Sequence, residues 1–498
     1  MSNVSKADAA FDARGAAVST DKADGAPAAP SRLSMLVYRL LCLAFCHMLP
    51  LKLVFALLRR VRPLALVRGT LWVTKADDVR EVLGRFDDFH LAQVIEPGMP
   101  WGQFIMTIDW REQHAVERGL LQSAVRPVDD QHAITVLAAD TCRRQLALAA
   151  GGRIDVVAAL AEPVVVRIAA DYFGVAPLGG SAQKMADAMA DLAGIIMVNP
   201  PPGSEPWARS REAMAGVTSR ILATIAERKA ALAIGGAALP DDLLTRLVRL
   251  QVAGGQPAWF DDDWIRRYLT GLIATGGATI VRASAHAVDQ LLAHPEGLQM
   301  AREAAARLDR DPQDKAAAAA LQQLVYEALR FRPMLPLLVR DCPRDTVIAG
   351  GTPRARIVPG GTRVIAAPLA AMFDAEKVPA PAEFRAGRPQ DAYMLFGVGV
   401  RSCFGRYIAD IVLIEIARAL LRLPQLARAP GADGEVRYEG PAPRGLTVMF
   451  KAFSSEVAPG SRQENASKQN RAFSSEAGTG SREENASQQP SDAGRGAA

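Results

Sequence analysis

The chain has 498 residues, 49% hydrophobic and 22% charged, enough for one very large domain or two to three average ones around a sizeable core. Its formal charge of +5 is spread along the chain without a Lys/Arg block interleaved with aromatics, which excludes a nucleic-acid stripe and leaves a weak preference for an acidic protein partner or an anionic membrane. Five scattered cysteines with no CxxC pair exclude a disulfide framework and a structural zinc site, and they point to a reducing, cytoplasmic setting.

Residues 1–33 are rich in Ala, Ser, Asp, Gly and Pro, lack an apolar period and read as disordered. Residues 34–63 read as an apolar, basic-flanked lead helix. The stretch from Met35 to Leu58 is interrupted by Arg39, Pro50 and Lys52 and followed by Arg59, Arg60 and Arg62. It falls short of the roughly twenty uninterrupted apolar residues that a membrane span needs, and a signal peptide would lie nearer the start. Two readings remain: a helix lying on a membrane surface, or a first helix packed on the domain.

Residues 64–451 have a globular pattern. Leu64–Thr74 has strand character and Ala76–Leu83 reads as a short helix. Ala/Leu/Arg-rich helical segments run from about Ala133 to Ala233, broken by Asn199-Pro200-Pro201-Pro202-Gly203. Further helices cover about Asp261–Leu292 and Ala316–Phe331. Strands are expected at Thr346–Ile348, Arg356–Val358 and Arg363–Ala366, each fenced by Gly and Pro. The expected fold class is mainly α with a small, segregated β part. In residues 452–498, Ala452-Phe453-Ser454-Ser455-Glu456 recurs as Ala472-Phe473-Ser474-Ser475-Glu476. Two copies with one Phe each cannot stack into a solenoid, so this tail reads as low-complexity disorder without a catalytic role.

The segment Phe396-Gly397-Val398-Gly399-Val400-Arg401-Ser402-Cys403-Phe404-Gly405 carries most of the chemistry. A helix with Ile408, Val412, Ile416 and Leu420 on one side follows, which puts Cys403 just before a helix N-terminus, where free N–H groups favour a thiolate. Gly397 and Gly399 permit a tight loop, and Gly405 lets the helix start pass close to a flat partner. Phe396 can pack beside that partner and Arg401 can neutralise an acid group on it. A thiolate, a flat apolar ligand and a cation together describe haem with its propionates.

This loop resembles the haem-binding signature of the cytochromes P-450, Phe-x-x-Gly-x-Arg-x-Cys-x-Gly, and matches it in full. The resemblance implies Cys403 as axial ligand of haem b (iron protoporphyrin IX). Glu327-Ala328-Leu329-Arg330 is similar to the family's Glu-x-x-Arg pair, whose role is structural support of the loop before the cysteine. Arg340 lies where the family places a propionate arginine. His114 and Arg118, one helical turn apart, resemble the residues that reach the propionates from the opposite side. Phe373 to Phe384, with Arg388-Pro389, resembles the segment leading towards the loop.

The long helix departs from the family pattern. In Ala274-Thr275-Gly276-Gly277-Ala278-Thr279, the expected Gly and Thr are present as Gly276 and Thr279, the candidate catalytic positions, but the acid position holds Ala278. The family's threonine and acid deliver protons during oxygen activation, so direct carboxylate relay is lost here. Gly276 and Gly277 are expected to open a groove for oxygen or water. Arg282 is read as facing solvent in preference to the distal pocket.

The resemblance implies oxygen insertion into a hydrophobic, lipid-like molecule, with dioxygen as oxidant and electrons from a separate ferredoxin or reductase. Ala278 motivates the alternative, a peroxide-driven peroxygenase or an isomerase of fatty-acid hydroperoxides. A non-catalytic haem sensor is the remote third reading. The region near Met106 and Thr107, the Met197–Trp207 segment and the residues after Phe331 are the expected pocket lining. Neither a G-x-S-x-G elbow nor an H-E-x-x-H helix is present, which sets aside those hydrolase classes.

Overall fold

A computed structural model of the protein describes residues 29–91, 101–149, 151–235 and 238–451. The expectations for residues 1–28 and for the duplicated tail lie outside the described residues.

The apolar lead folds as two helices, α1 (Arg32–Cys46) and α2 (Met48–Val61), bent by 89° at their junction. Ser31 caps α1 by accepting the Ser34 N–H at 3.1 Å. Strands β1 (Leu64–Val67) and β2 (Thr70–Val73) form a hairpin, and α3 (Ala76–Gly84) follows as expected. The helical body comprises α4 (Arg111–Ser123), α5 (Pro127–Leu148), the short strand β3 (Arg153–Asp155), α6 (Glu162–Asp171), α7 (Ala182–Val198) and α8 (Glu205–Ala233). Asn199, in the left-handed region with φ 43°, ends α7 where the Pro-rich break was read. Then come α9 (Leu243–Val252), the 32-residue α10 (Asp262–Ala293), α11 (Pro295–Arg310) and α12 (Lys315–Phe331). Helices α9 and α11 are additions to the sequence reading.

The β part is segregated as expected. β4 (Leu338–Asp341), β5 (Thr346–Ile348), β6 (Arg356–Val358) and β7 (Arg363–Ala366) precede the short α13 (Pro368–Ala371). One sheet has the order β1-β2-β7-β4, with β2 and β7 parallel. After α14 (Arg406–Leu421), the chain adds β8 (Ala427–Arg428), β9 (Arg437–Glu439), β10 (Ala442–Gly445) and β11 (Thr447–Met449).

Helix α10 runs through the middle of this body and is buried along most of its length. Small residues set how closely its neighbours approach. A Cβ on Gly277 would lie 2.5 Å from Met189 Sδ on α7, so Gly277 serves helix packing, whereas Gly276 faces open space. Both glycines nevertheless border the same internal cavity, Gly277 being closed on its Met189 side.

Arg282 corrects another expectation. It is fully buried instead of solvent-facing, and it donates to the carbonyls of Phe45 and Pro441. Arg332 donates to Cys46 O at 3.1 Å, so two guanidiniums satisfy the C-terminal carbonyls of α1. One turn along α10, His286 bonds Arg332 O at 3.0 Å and the Tyr438 hydroxyl at 2.6 Å. Asp289 accepts from Arg332 and Arg428, both at 2.6 Å. This polar cluster ties the lead helix and the β9–β10 hairpin to one face of α10.

Arg282→Met leaves buried carbonyls without donors and should cost about 3 kcal/mol, read as a lower midpoint in chemical unfolding. An unchanged midpoint would show that α1 docks without it. Burial, then Arg282 and Arg332, hold the His286 imidazole well below its usual value of 6.5. The unfolded chain thus takes up a proton first as pH falls. The stability linked to His286 is complete above about pH 6.5 and declines below it, by about 1.4 kcal/mol per pH unit. His286→Gln should flatten that slope, and an unaltered slope would remove His286 as its source.

Candidate active site

Glu327 and Arg330 stand on α12, one turn apart and fully buried. Arg330 grips the carboxylate through Nε at 2.9 Å and Nη2 at 2.8 Å. Arg388 adds a third charge, donating from Nε to Glu327 at 3.0 Å. The two guanidiniums also donate to the carbonyls of Met372, Pro379, Ala380, Pro381 and Glu383. Arg330 and Arg388 hold the carboxyl below its usual range despite burial. One carboxylate and two guanidiniums therefore clamp the segment that leads to the cysteine loop. In the sequence, Arg388 is visible only as part of a soft match; its place in the clamp needed the three-dimensional contact.

The loop is tight because Gly397 and Gly399 both take φ +71°. A Cβ on Gly399 would come within 3.2 Å of Gly84 Cα at the end of α3, so only glycine fits there. The Cys403 N–H donates to Phe396 O at 2.8 Å, and Arg118 donates to Ser402 O at 3.2 Å. Cys403 lies three residues before α14, with its surface open to a cavity of about 340 Å³ and protein packed around the rest. Burial pushes its thiol up, and the Gly405 N–H and Arg118 pull it down. In the protein alone burial wins over the helix terminus, so a stable thiolate calls for a metal, which deprotonates a coordinating thiol outright.

His114, Arg118, Arg340, Phe396, Arg401, Gly405, Gly276 and Thr279 line the same cavity as Cys403. Arg340, on β4, is held down to about 10 by burial and by Arg401, with Asp109 opposing. His114 is held down to about 4, by burial first and then by Arg401, Arg118 and Arg111, and is neutral at pH 7. Arg401 is engaged from behind by the Asp109 carboxylate and by Met106 O at 3.0 Å, while its Nε is buried with no hydrogen-bond partner among the described residues. Three arginines and no Asp or Glu appear among the described lining residues. Arg401 has Asp109, but no ion pair is present at the half-buried Arg118 or the buried Arg340 among the described residues, and cations so placed favour an anionic ligand. A flat apolar group with two carboxylates and a thiophilic metal meets that demand, so haem fits the residues present.

On the α10 wall, Thr279 Oγ1 donates to the carbonyls of Thr275 at 2.6 Å and Gly276 at 3.0 Å. Thr275 lines the cavity as well and donates to Gly271 O at 2.7 Å. Ala278 is buried but absent from the described lining, so the side chain at the family's acid position points elsewhere. Of the expected pocket regions, Met106 and Met197 contribute, as do Met334, Leu335 and Leu337. Thr107 is fully buried with its hydroxyl on Phe104 O at 3.2 Å, and residues 198–207 lie off the cavity. Phe45 of α1 and Val165, Ile168 and Ala169 of α6 supply lining that apolar helix residues do not announce in sequence.

Cys403→Ala should abolish the thiolate signature of the reduced, carbon monoxide-bound haem spectrum while the chain still folds; survival of that band would remove Cys403 as ligand. Glu327→Ala leaves two buried guanidiniums unpaired, at a cost of about 3–5 kcal/mol. Its expected outcome is protein with little haem by Soret absorbance, and full loading would show that the clamp is dispensable.

A family model for cytochrome P-450 matches residues 151–440. Erythromycin C-12 hydroxylase of Saccharopolyspora erythraea is 28% identical over 363 residues, covering 71% of this chain and 82% of the relative. A bifunctional dioxygenase–epoxy alcohol synthase of Fusarium oxysporum is 34% identical over 113 residues, 23% of this chain and 9% of that protein's length. Among solved structures, the open form of EryK from S. erythraea superposes with TM-score 0.65 at 23% identity, covering 82% of this chain and 98% of that one. With a family match over more than half of its length and the clamp, loop and cavity in place, the chain belongs to the cytochrome P-450 family, as a bacterial-type haem-thiolate monooxygenase with haem b as cofactor.

Proposed function

We propose that the protein inserts oxygen into an apolar, lipid-like substrate, using dioxygen and electrons from a separate ferredoxin or reductase in a reducing, cytoplasmic setting. The observation that carries this reading is the cavity lining. Apart from His114, Arg118, Arg340, Arg401, Ser402 and Cys403, the only polar side chains on the described lining are Thr275 and Thr279. Haem propionates would occupy the cations, which leaves a substrate space walled by Phe, Met, Leu, Ile and Val. Such a wall favours neutral hydrocarbon surface and offers no partner to a buried carboxylate. The five described thiols are all free, in keeping with that setting.

Cys403 would ligate the iron, and Arg118 and Arg340, with the neutral His114 as a further donor, would hold the carboxylates. Bound haem supplies the redox-active iron at which oxygen is activated. The chain's own part on the substrate side is proton handling at Thr279 Oγ1. Its hydrogen is committed to helix carbonyls, so its lone pairs are the groups available to accept from a water.

A second reading, use of a peroxide or rearrangement of a fatty-acid hydroperoxide, is favoured by Ala278 together with the lack of any carboxylate on the described lining. The partial likeness to an epoxy alcohol synthase points the same way. Mixing the ferric protein with a fatty-acid hydroperoxide, without reductase, separates the two. Product formation only with ferredoxin, reductase and a reduced nicotinamide supports the first reading, and rapid turnover of hydroperoxide alone replaces it with the second. Thr279→Val should lower reductant-driven product formation by about 10²-fold while barely changing a hydroperoxide-driven reaction. Equal rates for variant and parent with reductant would take Thr279 out of proton handling.

A further inference from the structure

The lead helices pose a packing problem that the domain does not solve. On α1, Tyr38, Cys42, Phe45 and Cys46 face the protein; on α2, Met48 and Phe55 do. The opposite faces are equally apolar and uncovered. Leu36 is 54% exposed, Leu40 55%, Leu53 64% and Leu57 63%, and Leu33 and Leu49 are more open still. A helix that is apolar all round belongs where both sides are shielded from water.

The charges say what covers the open face. Residues 32–62 carry Arg32, Arg39, Lys52, Arg59, Arg60 and Arg62 and no Asp or Glu. Lys52 turns inward over the Phe373 ring at 4.7 Å, and Arg59 donates to Ala370 O at 2.9 Å. Arg32, Arg39, Arg60 and Arg62 stay exposed. Leucines flanked by arginines without acids complement an anionic lipid surface. At 15 and 14 residues, the helices are each roughly 20 Å long, too short to cross a hydrocarbon core of about 30 Å, and the 89° bend keeps them from acting as one rod. Residues 1–28 hold only Met1, Val4, Phe11 and Val18 as large apolar residues, and residues 452–498 only Phe453, Val457 and Phe473, too few in either terminal segment to cover this face.

We propose that α1 and α2 form a monotopic docking surface for an anionic bilayer. The inner side of the same helix meets the cavity. Phe45 lines it and packs in one cluster with Met197, Leu335 and Leu337, which line it too. Because Arg282 and Arg332 pin the end of α1, bilayer and cavity lie on two sides of one fixed helix. Docking rests on the exposed face alone and does not depend on which oxidation the cavity performs.

The full-length haem protein is floated through a density gradient with vesicles of phosphatidylcholine alone and of phosphatidylcholine with phosphatidylglycerol. The parent should float with the anionic vesicles and less with the neutral ones. Leu36→Asp with Leu40→Asp, and separately Leu53→Asp with Leu57→Asp, should each weaken binding by about tenfold or more. Arg60→Glu with Arg62→Glu should remove the preference for phosphatidylglycerol while keeping the haem spectrum. These side chains are exposed, so retained Soret absorbance certifies the fold of each variant. The proposal is overturned if the parent stays with neither vesicle, or if the leucine variants float as well as the parent. It is equally overturned if light scattering shows a parent dimer that the leucine variants split without any flotation, which would make the face a contact between two copies.

Discussion

A buried carboxylate with two buried guanidiniums is the constraint on which the rest of the site depends. Glu327 alone would be too costly to ionise inside the protein, and neither Arg330 nor Arg388 can shed its charge. Together they are stable only if every remaining N–H finds an acceptor. Those acceptors are the carbonyls of Met372, Pro379, Ala380, Pro381 and Glu383. The irregular chain after β7, which has little regular structure of its own, is thereby forced into one path. That path ends at Phe396, whose carbonyl receives the Cys403 N–H. The thiol is aimed by a charge cluster that never touches the cavity.

The cavity is organised by the opposite imbalance. Where the clamp satisfies its charges internally, Arg118 and Arg340 keep theirs directed at a space without an acid on its described lining. Arg401 is partly neutralised by Asp109, and His114 is kept neutral by burial first and then by its cationic neighbours. The protein holds this positive potential in a buried place only at a cost, which a dianionic ligand offsets. Ligand loading and stability are thus linked, and an electrostatic demand selects the cofactor as much as the thiol does.

How far the sequence revealed these features follows from how local each one is. Cys403, Gly397 and Gly399 act within a single loop, and the tight turn and helix start are written in consecutive residues. Glu327 and Arg330 share a helix face, so their pairing follows from a three-residue spacing. Arg388 joins from 61 residues away, through contacts no periodicity encodes. The burial of Arg282 escapes the sequence for the same reason: on a helix an arginine is ordinarily a surface residue, and the carbonyls of Phe45 and Pro441, far along the chain, make burial tolerable. Apolar lining such as Val165 and Ile168 is indistinguishable in sequence from apolar core, because both face away from water. The single apolar lead became two helices because the bend beside His47 lets Phe45 and Met48 both turn inward.

Helix α10 shows why the oxygen source is harder to read than the cofactor. Its cavity face carries Thr275, Gly276 and Thr279. Ala278 sits on another face of the same turn. Alanine there carries no charge and, lying off the described lining, adds nothing to the cavity wall. Shape, thiol and cations therefore agree on haem, whereas the side chain at the family's acid position does not line the cavity among the described residues. An enzyme that receives dioxygen must import protons, and the hydroxyls on the cavity face of this helix are those of Thr275 and Thr279. One that receives a hydroperoxide brings its oxygen already reduced and can tolerate the loss, so the same wall suits either oxidant and the chemistry of the helix interior decides between them.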